Sequence, residues 1–158
     1  MNILHMIQGL INRLFFRRTR ANRCFDQLLL CIEEGATDTF LTTLLNLMSL
    51  VICIDPDFRL NIKDFEANYV FKDKHNMAYV AAEFKNNKLK VKQKQAEHFE
   101  LMLTFNDGHS LFKLLLSESP DILDAVLNQE VDFSGNINYL NKFAYMAMRL
   151  RLMAMGKM

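Results

Sequence analysis

Residues 99–143, FELMLTFNDGHSLFKLLLSESPDILDAVLNQEVDFSGNINYLNKF, change the spacing of their apolar residues twice. In residues 99–105 apolar side chains occupy every second position, which is typical of a strand with one buried face. Asn106 or Asp107 then caps a short helix, and Pro120 opens another. The segment EVDFSG returns to alternation, and its final glycine permits a sharp exit. The stretch therefore predicts a strand, two short helices and a second strand that leads into a last helix.

Three further strands are predicted ahead of this stretch. The segments IKDFEANYVF and NMAYVAAEF each place apolar or small side chains at alternate positions. In KLKVKQK the lysines alternate with Leu89 and Val91, which indicates the solvated face of a strand. The turns KDKHN and KNN are short enough for antiparallel hairpins. The lysines of this predicted strand are Lys88, Lys90, Lys92 and Lys94.

Helical periodicity precedes the strands. Helices are predicted at residues 2–16, at residues 21–34, and from the N-cap Asp38 to about Ile54, where the DPDFR break ends the third. The apolar period then changes from 3.6 to 2, and it changes back at Asn106. The predicted fold class is α+β, with a five-stranded, mainly antiparallel sheet covered by helices on one face and an added N-terminal helical segment.

The composition is that of a folded protein, because 51% of its 158 residues are hydrophobic and 23% are charged. The net charge of +1 and the lack of a recognition module argue against nucleic acid as a partner. Cys24, Cys31 and Cys53 lack the spacing of a metal site and fit reduced core thiols. The apolar runs are too short or too interrupted for a membrane span or a secretory signal. We therefore expect a cytoplasmic location.

Residues suited to catalysis are scattered along the chain. The four histidines fall in different predicted elements. Asp107, His109 and Ser110 stand together only at a helix start, where capping explains them. The sequence has no glycine-rich phosphate loop and no metal signature. We therefore expect no enzymatic activity, no catalytic residue, no metal site and no cofactor.

The order of four antiparallel strands, two short helices, a fifth strand ending in SGN and a last amphipathic helix resembles the sterol carrier protein type 2 family of lipid-binding domains. The resemblance covers residues 59–154 and is most evident in residues 99–143, where the LF..LL helix follows a polar turn. The chain departs from the family at Asn136, where members often have an acidic residue, and its GKM ending lacks a peroxisomal signal. The resemblance divides the chain into a helical extension, residues 1–58, and a lipid-binding domain, residues 59–158. It also implies that KLKVKQK is an edge strand, where lysines discourage edge-to-edge aggregation.

Small residues on the inner faces predict an apolar tunnel. Ala78 and Ala82 lie on the second strand, and Ala144 and Ala147 lie on the last helix. Small residues that face each other leave volume for an acyl or isoprenoid chain. The alternative is a closed core that is filled by Phe84, Phe99, Phe105 and Phe143; the family resemblance favours the tunnel. The predicted lining is Ala78, Val80, Ala82, Phe84, Leu101, Leu103, Phe105, Leu115, Leu127, Phe133, Leu140, Phe143, Ala144, Ala147 and Met148.

The last helix and its end carry half of the ten methionines: Met146, Met148, Met153, Met155 and Met158. Methionine is unbranched and polarizable, so such a cluster suits an adaptable wall of a lipid tunnel. The alternative is that these methionines fill gaps in the core or contact the N-terminal helices. For any single methionine the core interpretation is favoured, and for the cluster the tunnel wall is favoured.

A cluster of basic residues near the N-terminus suggests membrane contact. Arg13, Arg17, Arg18 and Arg20 follow an apolar predicted helix, and basic residues beside an apolar helix attract anionic lipid. The alternative is a solvated junction between two helices.

The resemblance implies non-catalytic binding and transfer or presentation of a hydrophobic lipid, which is fatty-acyl, sterol-like or isoprenoid. Two alternatives stay open: an accessory lipid-binding subunit of an isoprenoid-quinone biosynthesis complex, and a ligand-free interaction scaffold. The expected partners are a lipid or other hydrophobic small molecule and an anionic membrane that the protein contacts peripherally. A second copy in a homodimer or a biosynthetic enzyme is the other expected partner.

Overall fold

The computed structural model describes residues 37–75, 79–94, 96–108, 110–111, 114 and 122–154. Several sequence predictions lie outside these ranges: the helices at residues 2–16 and 21–34, the arginine cluster, Cys24, Cys31, Met155 and Met158.

The first described helix, α1, spans Thr37–Ile54. The expectation that Asp38 caps it is wrong, because the helix already begins at Thr37 and Asp38 lies in the first turn, where its negative charge faces the positive end of the helix dipole. Cys53 is free but exposed, so the expectation of a core thiol is also wrong there. The buried side chains of α1 are Phe40, Leu41, Leu44, Leu45, Leu47, Met48, Val51 and Ile52.

The DPDFR break contains a second, short helix. Helix α2 spans Pro56–Arg59 and a 3-10 turn, Leu60–Ile62, follows it. The Asp55 carboxylate accepts hydrogen bonds from the backbone N–H groups of Asp57 at 2.8 Å and Phe58 at 3.0 Å. Its own backbone N–H donates to the last turn of α1 at 2.8 Å. Asp55 therefore ends α1 as predicted, and it also caps α2.

Five strands form one sheet in the order β3-β2-β1-β4-β5, which confirms the predicted fold class and makes β3 an edge strand. Neighbouring strands are antiparallel except β1 and β4, which are parallel. The resemblance implied four antiparallel strands, and this is corrected for β4, because the chain crosses the sheet between β3 and β4. The strands are β1 Ala67–Asp73, β2 Tyr79–Lys85, β3 Lys88–Lys92, β4 Leu101–Phe105 and β5 Val131–Gly135.

A two-residue turn joins β2 to β3. Lys85 and Lys88 are paired, and the residues between them, Asn86 and Asn87, have φ angles of 52° and 56°. Asparagine tolerates this left-handed conformation, and two such residues in succession give a tight hairpin whose twist matches that of the strands. The predicted KNN hairpin is confirmed.

Residues 93–100 carry the chain across the sheet from β3 to β4. The backbone N–H of Ala96 donates to the Tyr79 hydroxyl at 3.2 Å. The Glu100 carboxylate accepts from the backbone N–H of Asn68 in β1. Val70 and Ala81, which alternate with the core-facing residues of β1 and β2, are buried as well.

The predicted exit from the fifth strand is confirmed. Gly135 has a φ of +119°, and a Cβ atom at this position would meet the backbone of Glu100 and Leu101. The side-chain oxygen of Asn136 accepts from the backbone N–H of Asn138 at 2.9 Å. Asn136 therefore caps the last helix, as predicted. After β4, residues 108, 110–111 and 114 are helical. Two later helices are α3, Ile122–Leu127, and α4, Ile137–Ala154.

Helix α1 and helix α4 both pack on one face of the sheet. The Ser49 hydroxyl donates to the backbone carbonyl of Leu89 at 2.7 Å, and the side-chain amide of Gln93 donates to the Thr42 hydroxyl at 3.2 Å. The apolar side chains of α1 belong to the same core cluster as those of the strands and α4. Helix α1 therefore completes the core over β2 and β3. The boundary between an extension and a domain at residue 58 stays a prediction.

Candidate functional site

The inner face of the sheet is continuous and apolar. The register aligns alternate residues of all five strands on the side that α1 and α4 cover. The other residues of β3 and β5, by contrast, are exposed. The inner face consists of Leu89, Val91, Val80, Ala82, Phe84, Ala67, Tyr69, Phe71, Leu101, Leu103, Phe105, Val131 and Phe133.

One end of the space between the sheet and α4 is filled by aromatic rings. The centroids of Phe71 and Phe143 are 4.9 Å apart, those of Tyr69 and Phe84 are 5.3 Å apart, and those of Phe65 and Tyr139 are 5.6 Å apart. These separations allow the edge-to-face and tilted contacts that aromatic pairs prefer. We call Phe65, Tyr69, Phe71, Phe84, Tyr139 and Phe143 the aromatic cluster.

Tyr69 carries a buried polar group at the centre of the aromatic cluster. Its hydroxyl donates to the backbone carbonyl of Tyr139 at 3.0 Å, so the buried donor is satisfied. Burial raises the pKa of Tyr69 above its ordinary value, and the electrostatic effects of Tyr139 and Glu100 raise the pKa further. The hydroxyl is therefore protonated at neutral pH and acts as a hydrogen-bond donor.

Helix α4 follows the direction of β1 across the sheet. Tyr139 contacts Phe65 and Tyr69, and Phe143, one turn later, contacts Tyr69 and Phe71. Residues beyond Phe143 therefore lie over the end of β1, where the register pairs Phe71 with Val80 and Leu103. The side chains in this region are mainly aliphatic, sulfur-containing or small. We call Val80, Leu103, Phe105, Met146, Ala147 and Leu150 the aliphatic end.

Helix α4 has a second, half-buried apolar row beside its core-facing one. Met146 is fully buried and Met153 is partly buried against the core, which agrees with the core interpretation of these two methionines. Ala144, Met148 and Leu152 are spaced by four residues and are each half-buried. The adaptable-wall hypothesis thus concerns Met148 in particular, and it stays a prediction.

The predicted lining residues differ in where they lie. Phe133 is half-buried against the core, and Ala144 and Met148 are half-buried on α4. Leu127 is 78% exposed at the end of α3, so it does not face the interior. Ala78 and Leu115 lie outside the described residues. The lining residues that the core brings together are Val80, Ala82, Phe84, Leu101, Leu103, Phe105, Leu140, Phe143 and Ala147.

Of the four phenylalanines that could fill a closed core, three are buried and one is exposed. Phe84 and Phe143 fill space within the aromatic cluster, and Phe105 is fully buried at the aliphatic end. Phe99 is 36% exposed and lies ahead of β4, so it does not fill the interior. Sequence reasoning placed Phe65, Tyr69 and Phe71 on an inner face but missed their joint packing with Tyr139. The spacing of Tyr139 and Phe143, one helical turn apart, was the available signal.

The polar residues at the start of the helix after β4 act as a cap. The Asp107 carboxylate accepts from the backbone N–H and from the hydroxyl of Ser110, each at 2.8 Å. This agrees with the capping interpretation for these two residues; His109 lies outside the described residues. Among the described residues no group of three His, Cys, Asp or Glu side chains is placed to hold a metal ion.

The described residues include no single helix that is long and apolar enough to cross a membrane. Residues 38–54 and 56–62 together have the length and apolar composition of a membrane span, but a bend of 110° separates the two helical segments.

No protein-family model matches the sequence. No curated protein matches it either. Solved structures do resemble the fold. A UbiJ-SCP2 ubiquinone synthesis protein has a TM-score of 0.57 at 13% identity, over 73% of this chain and 91% of that chain. The sterol carrier protein domain 2 of Helicoverpa armigera has a TM-score of 0.52 at 16% identity, over 68% and 84%.

A third similar structure is an enzyme. The inverting sec-alkylsulfatase Pisa1 from Pseudomonas sp. has a TM-score of 0.53 at 12% identity, over 66% of this chain. The chain spans only 16% of that enzyme's length. The similarity to the two smaller proteins covers most of their length, and it agrees with the strand order and the final helix described above. The chain therefore has the sterol carrier protein type 2 fold.

Proposed function

We propose that this chain is a non-catalytic protein that binds a hydrophobic lipid, fatty-acyl, sterol-like or isoprenoid, and transfers or presents it in the cytoplasm. The observation that carries the proposal is the aliphatic end, where α4 and the inner face of the sheet meet through small and flexible side chains. The sterol carrier protein type 2 fold supports the proposal, although a fold alone does not determine a ligand.

The aliphatic end is the proposed ligand site because its side chains can separate at low cost. Ala147 has no side-chain torsion and Met146 is unbranched, so the wall formed by α4 can adapt to chains of different shape. The aromatic cluster, in contrast, is held by several ring contacts and by the hydrogen bond from Tyr69 to Tyr139. A lipid chain would therefore enter between α4 and the ends of β1, β2 and β4, and it would stop against Phe71 and Phe143.

The environment of the site favours hydrophobic selectivity. The side chains of the aliphatic end carry no polar group, so binding would come from burial of apolar surface, at about 25 cal/mol per Å². Selection would then depend on the length and shape of the chain more than on its head group. Of the residues predicted to line the tunnel, the proposed site contains Val80, Leu103, Phe105 and Ala147, and it ends at Phe143.

Native mass spectrometry of the full-length purified protein tests the proposal directly. We expect a mass increment that organic extraction removes and that matches an apolar lipid, and we expect the extracted protein to bind a fluorescent fatty acid. The same spectra report whether the protein is a monomer or the proposed homodimer. A protein that carries no lipid and binds no fluorescent fatty acid would be the ligand-free scaffold instead.

A second candidate function is that of an accessory subunit in an isoprenoid-quinone biosynthesis complex. The observation that favours it is the similarity to the ubiquinone synthesis protein, which extends over 91% of that chain. In this case the protein would present a lipid intermediate to a biosynthetic enzyme. Pull-down from a quinone-producing cell distinguishes the two functions, because a presenting subunit co-purifies with biosynthetic enzymes and a free carrier co-purifies with lipid alone.

A further inference from the structure

The β2–β3 hairpin carries a row of lysines on the face of the sheet opposite to the helices. Along β3 they alternate with inward-facing residues, and all of them are exposed. The tight Asn86–Asn87 turn holds the two strands together at their ends. We call Lys85, Lys88, Lys90 and Lys92 the lysine face.

The positive charge of the lysine face exceeds the negative charge of the acidic residue beside it. Glu83 is the only acidic residue of β2 and β3, and its carboxylate forms an ion pair of 2.6 Å with Lys92. The hydrogen bond and charge of Lys92, and then the charges of Lys90 and Lys85, lower the pKa of Glu83. One carboxylate therefore interacts with three lysines, and Lys88 is not among the lysines that act on Glu83.

The pairing at the hairpin end works against stability. The register places Lys85 directly opposite Lys88, and like charges at opposite positions of an antiparallel pair repel. Lysines on an edge strand discourage aggregation, but exposed lysines along β3 alone achieve this. A second lysine opposite Lys88 adds repulsion without further protection, so the concentration of charge suggests a binding role.

We propose that the lysine face docks this protein on the surface of an anionic lipid bilayer, which deepens the proposed function and rests on it. Clustered lysines are attracted to the negative potential of anionic leaflets. Protein interfaces, by contrast, are depleted in lysine and enriched in aromatic residues and arginine, none of which occurs in the lysine face. A bilayer is thus the partner that fits.

The lysine face extends along the edge strand β3, from the hairpin beside Phe84 of the aromatic cluster to Lys92 opposite Ala81. A bilayer that contacts these lysines lies against the outer face of the sheet, opposite to the helices. Docking there would hold the protein at the membrane while the space between α4 and the sheet stays on the other side. The contact is electrostatic and shallow, because the outward side chains of β3 are all lysines, so docking would be rapidly reversible and sensitive to salt.

Co-sedimentation of the full-length protein with vesicles tests the proposal. The vesicles contain phosphatidylcholine alone, or phosphatidylcholine with about one third phosphatidylglycerol. The test variant is Lys88→Gln/Lys90→Gln, and the matched control is Lys63→Gln/Lys74→Gln, which removes two exposed lysines elsewhere. A third variant, Arg17→Ala/Arg18→Ala/Arg20→Ala, measures the contribution of the arginine cluster.

We expect the wild type to sediment with the anionic vesicles only, and less so at high salt. The binding constant should fall at least about ten-fold in the β3 variant and less than about two-fold in the control. The melting temperature of the β3 variant should change little, because the repulsion between Lys85 and Lys88 is removed together with the attraction between the paired Lys90 and Glu83. A variant that melts normally and sediments like the wild type would overturn the proposal, whichever result the arginine variant gives.

Two further outcomes separate this proposal from the proposed function. A wild type that sediments with neither vesicle, or that binds an acidic protein and no vesicle, overturns bilayer docking. Native mass spectrometry on the same preparation then shows whether lipid is still bound. Bound lipid without vesicle binding rejects the lysine face alone. Vesicle binding by a protein that carries no lipid and binds no fluorescent fatty acid rejects the carrier function and leaves a peripheral membrane protein.

Discussion

The Tyr69 hydroxyl, in β1, donates a hydrogen bond of 3.0 Å to the backbone carbonyl of Tyr139 in the first turn of α4. The two residues are 70 positions apart, so this bond fixes the last helix on the sheet at the aromatic cluster. The phenol ring itself is fully buried and contacts Phe84 and Phe143. One side chain thus provides both the packing and the polar contact that hold the start of α4.

Replacing Tyr69 with Phe should lower the free energy of unfolding by about 0.5–1.5 kcal/mol, because the ring packing stays while one net hydrogen bond is lost. Urea denaturation measures the change. The control is Tyr139→Phe, which removes a hydroxyl but keeps the backbone carbonyl that accepts the bond. Equal stability of Tyr69→Phe and the wild type would show that the bond does not hold α4.

The stability of the wild type should fall with rising pH in the alkaline range. Burial, followed by the effects of Tyr139 and Glu100, raises the pKa of Tyr69 in the folded state above its unfolded value near 10. The neutral hydroxyl therefore contributes stability that is fully present below about pH 10 and is lost as the pH rises further, by about 1.4 kcal/mol per pH unit. Comparison with Tyr69→Phe isolates this effect, because the two proteins differ only in the hydroxyl of residue 69. Parallel stability curves above pH 10 would contradict the assignment.

Replacing Gly135 with Ala should lower the free energy of unfolding by about 1–3 kcal/mol or more. The φ of +119° is unfavourable for alanine, and the new Cβ would press against the backbone of Glu100. Glu100 lies directly before β4 and its backbone N–H donates to the carbonyl of Asn68 in β1 at 3.0 Å, which restricts its movement. Thermal unfolding measures the loss. The control, Ser134→Ala, changes the preceding exposed residue and should shift the melting temperature little. A stable Gly135→Ala protein would mean that the exit from β5 can relax.

Local patterns predicted the elements of this fold well. Alternation of apolar residues identified all five strands, including the EVDFSG segment, because a strand with one buried face has this pattern in consecutive residues. The cap at Asn136 was predictable for the same reason, since it depends on neighbouring residues. The edge position of β3 was implied by the family resemblance, and the strand order confirms it. The parallel pairing of β1 with β4 came only from the structure, because it depends on the path of residues 93–100.

Long-range packing was less predictable. The place of α1 in the core depends on contacts such as Ser49 to Leu89, which no local pattern encodes. The aromatic cluster likewise joins residues from β1, β2, α4 and the segment before β1, so that Phe65 and Tyr139 meet only after folding. Leu127 was placed inside from its helical spacing, but α3 is a helix of six residues whose last residue turns outward.

Enlarging Ala147 tests whether the aliphatic end opens for a ligand. Ala147 is buried on α4, and Ala82 is buried on β2 opposite Tyr69 in the register. If lipid occupies this space, Ala147→Phe should place bulk where the ligand would lie, so the melting temperature should be kept while binding of a fluorescent fatty acid falls. Ala82→Leu adds bulk beside the filled aromatic cluster and should lower the melting temperature in either case. In a core that is close-packed at all times, Ala147→Phe also costs about 1–3 kcal/mol.

The two outcomes for Ala147→Phe point in opposite directions. A strain of that size would lower the melting temperature by about 2–4 °C for each kcal/mol in a protein of this length. The matched control is Ala144→Phe on the same helix, whose half-buried side chain can turn toward solvent, so it should affect both readouts less. Preserved melting with lost fatty-acid binding supports a carrier with its ligand between α4 and the sheet. Clear destabilisation by Ala147→Phe, in a protein whose wild type binds no fatty acid, would instead mean that the small residues serve close packing, as the contacts of the aromatic cluster already do at the other end.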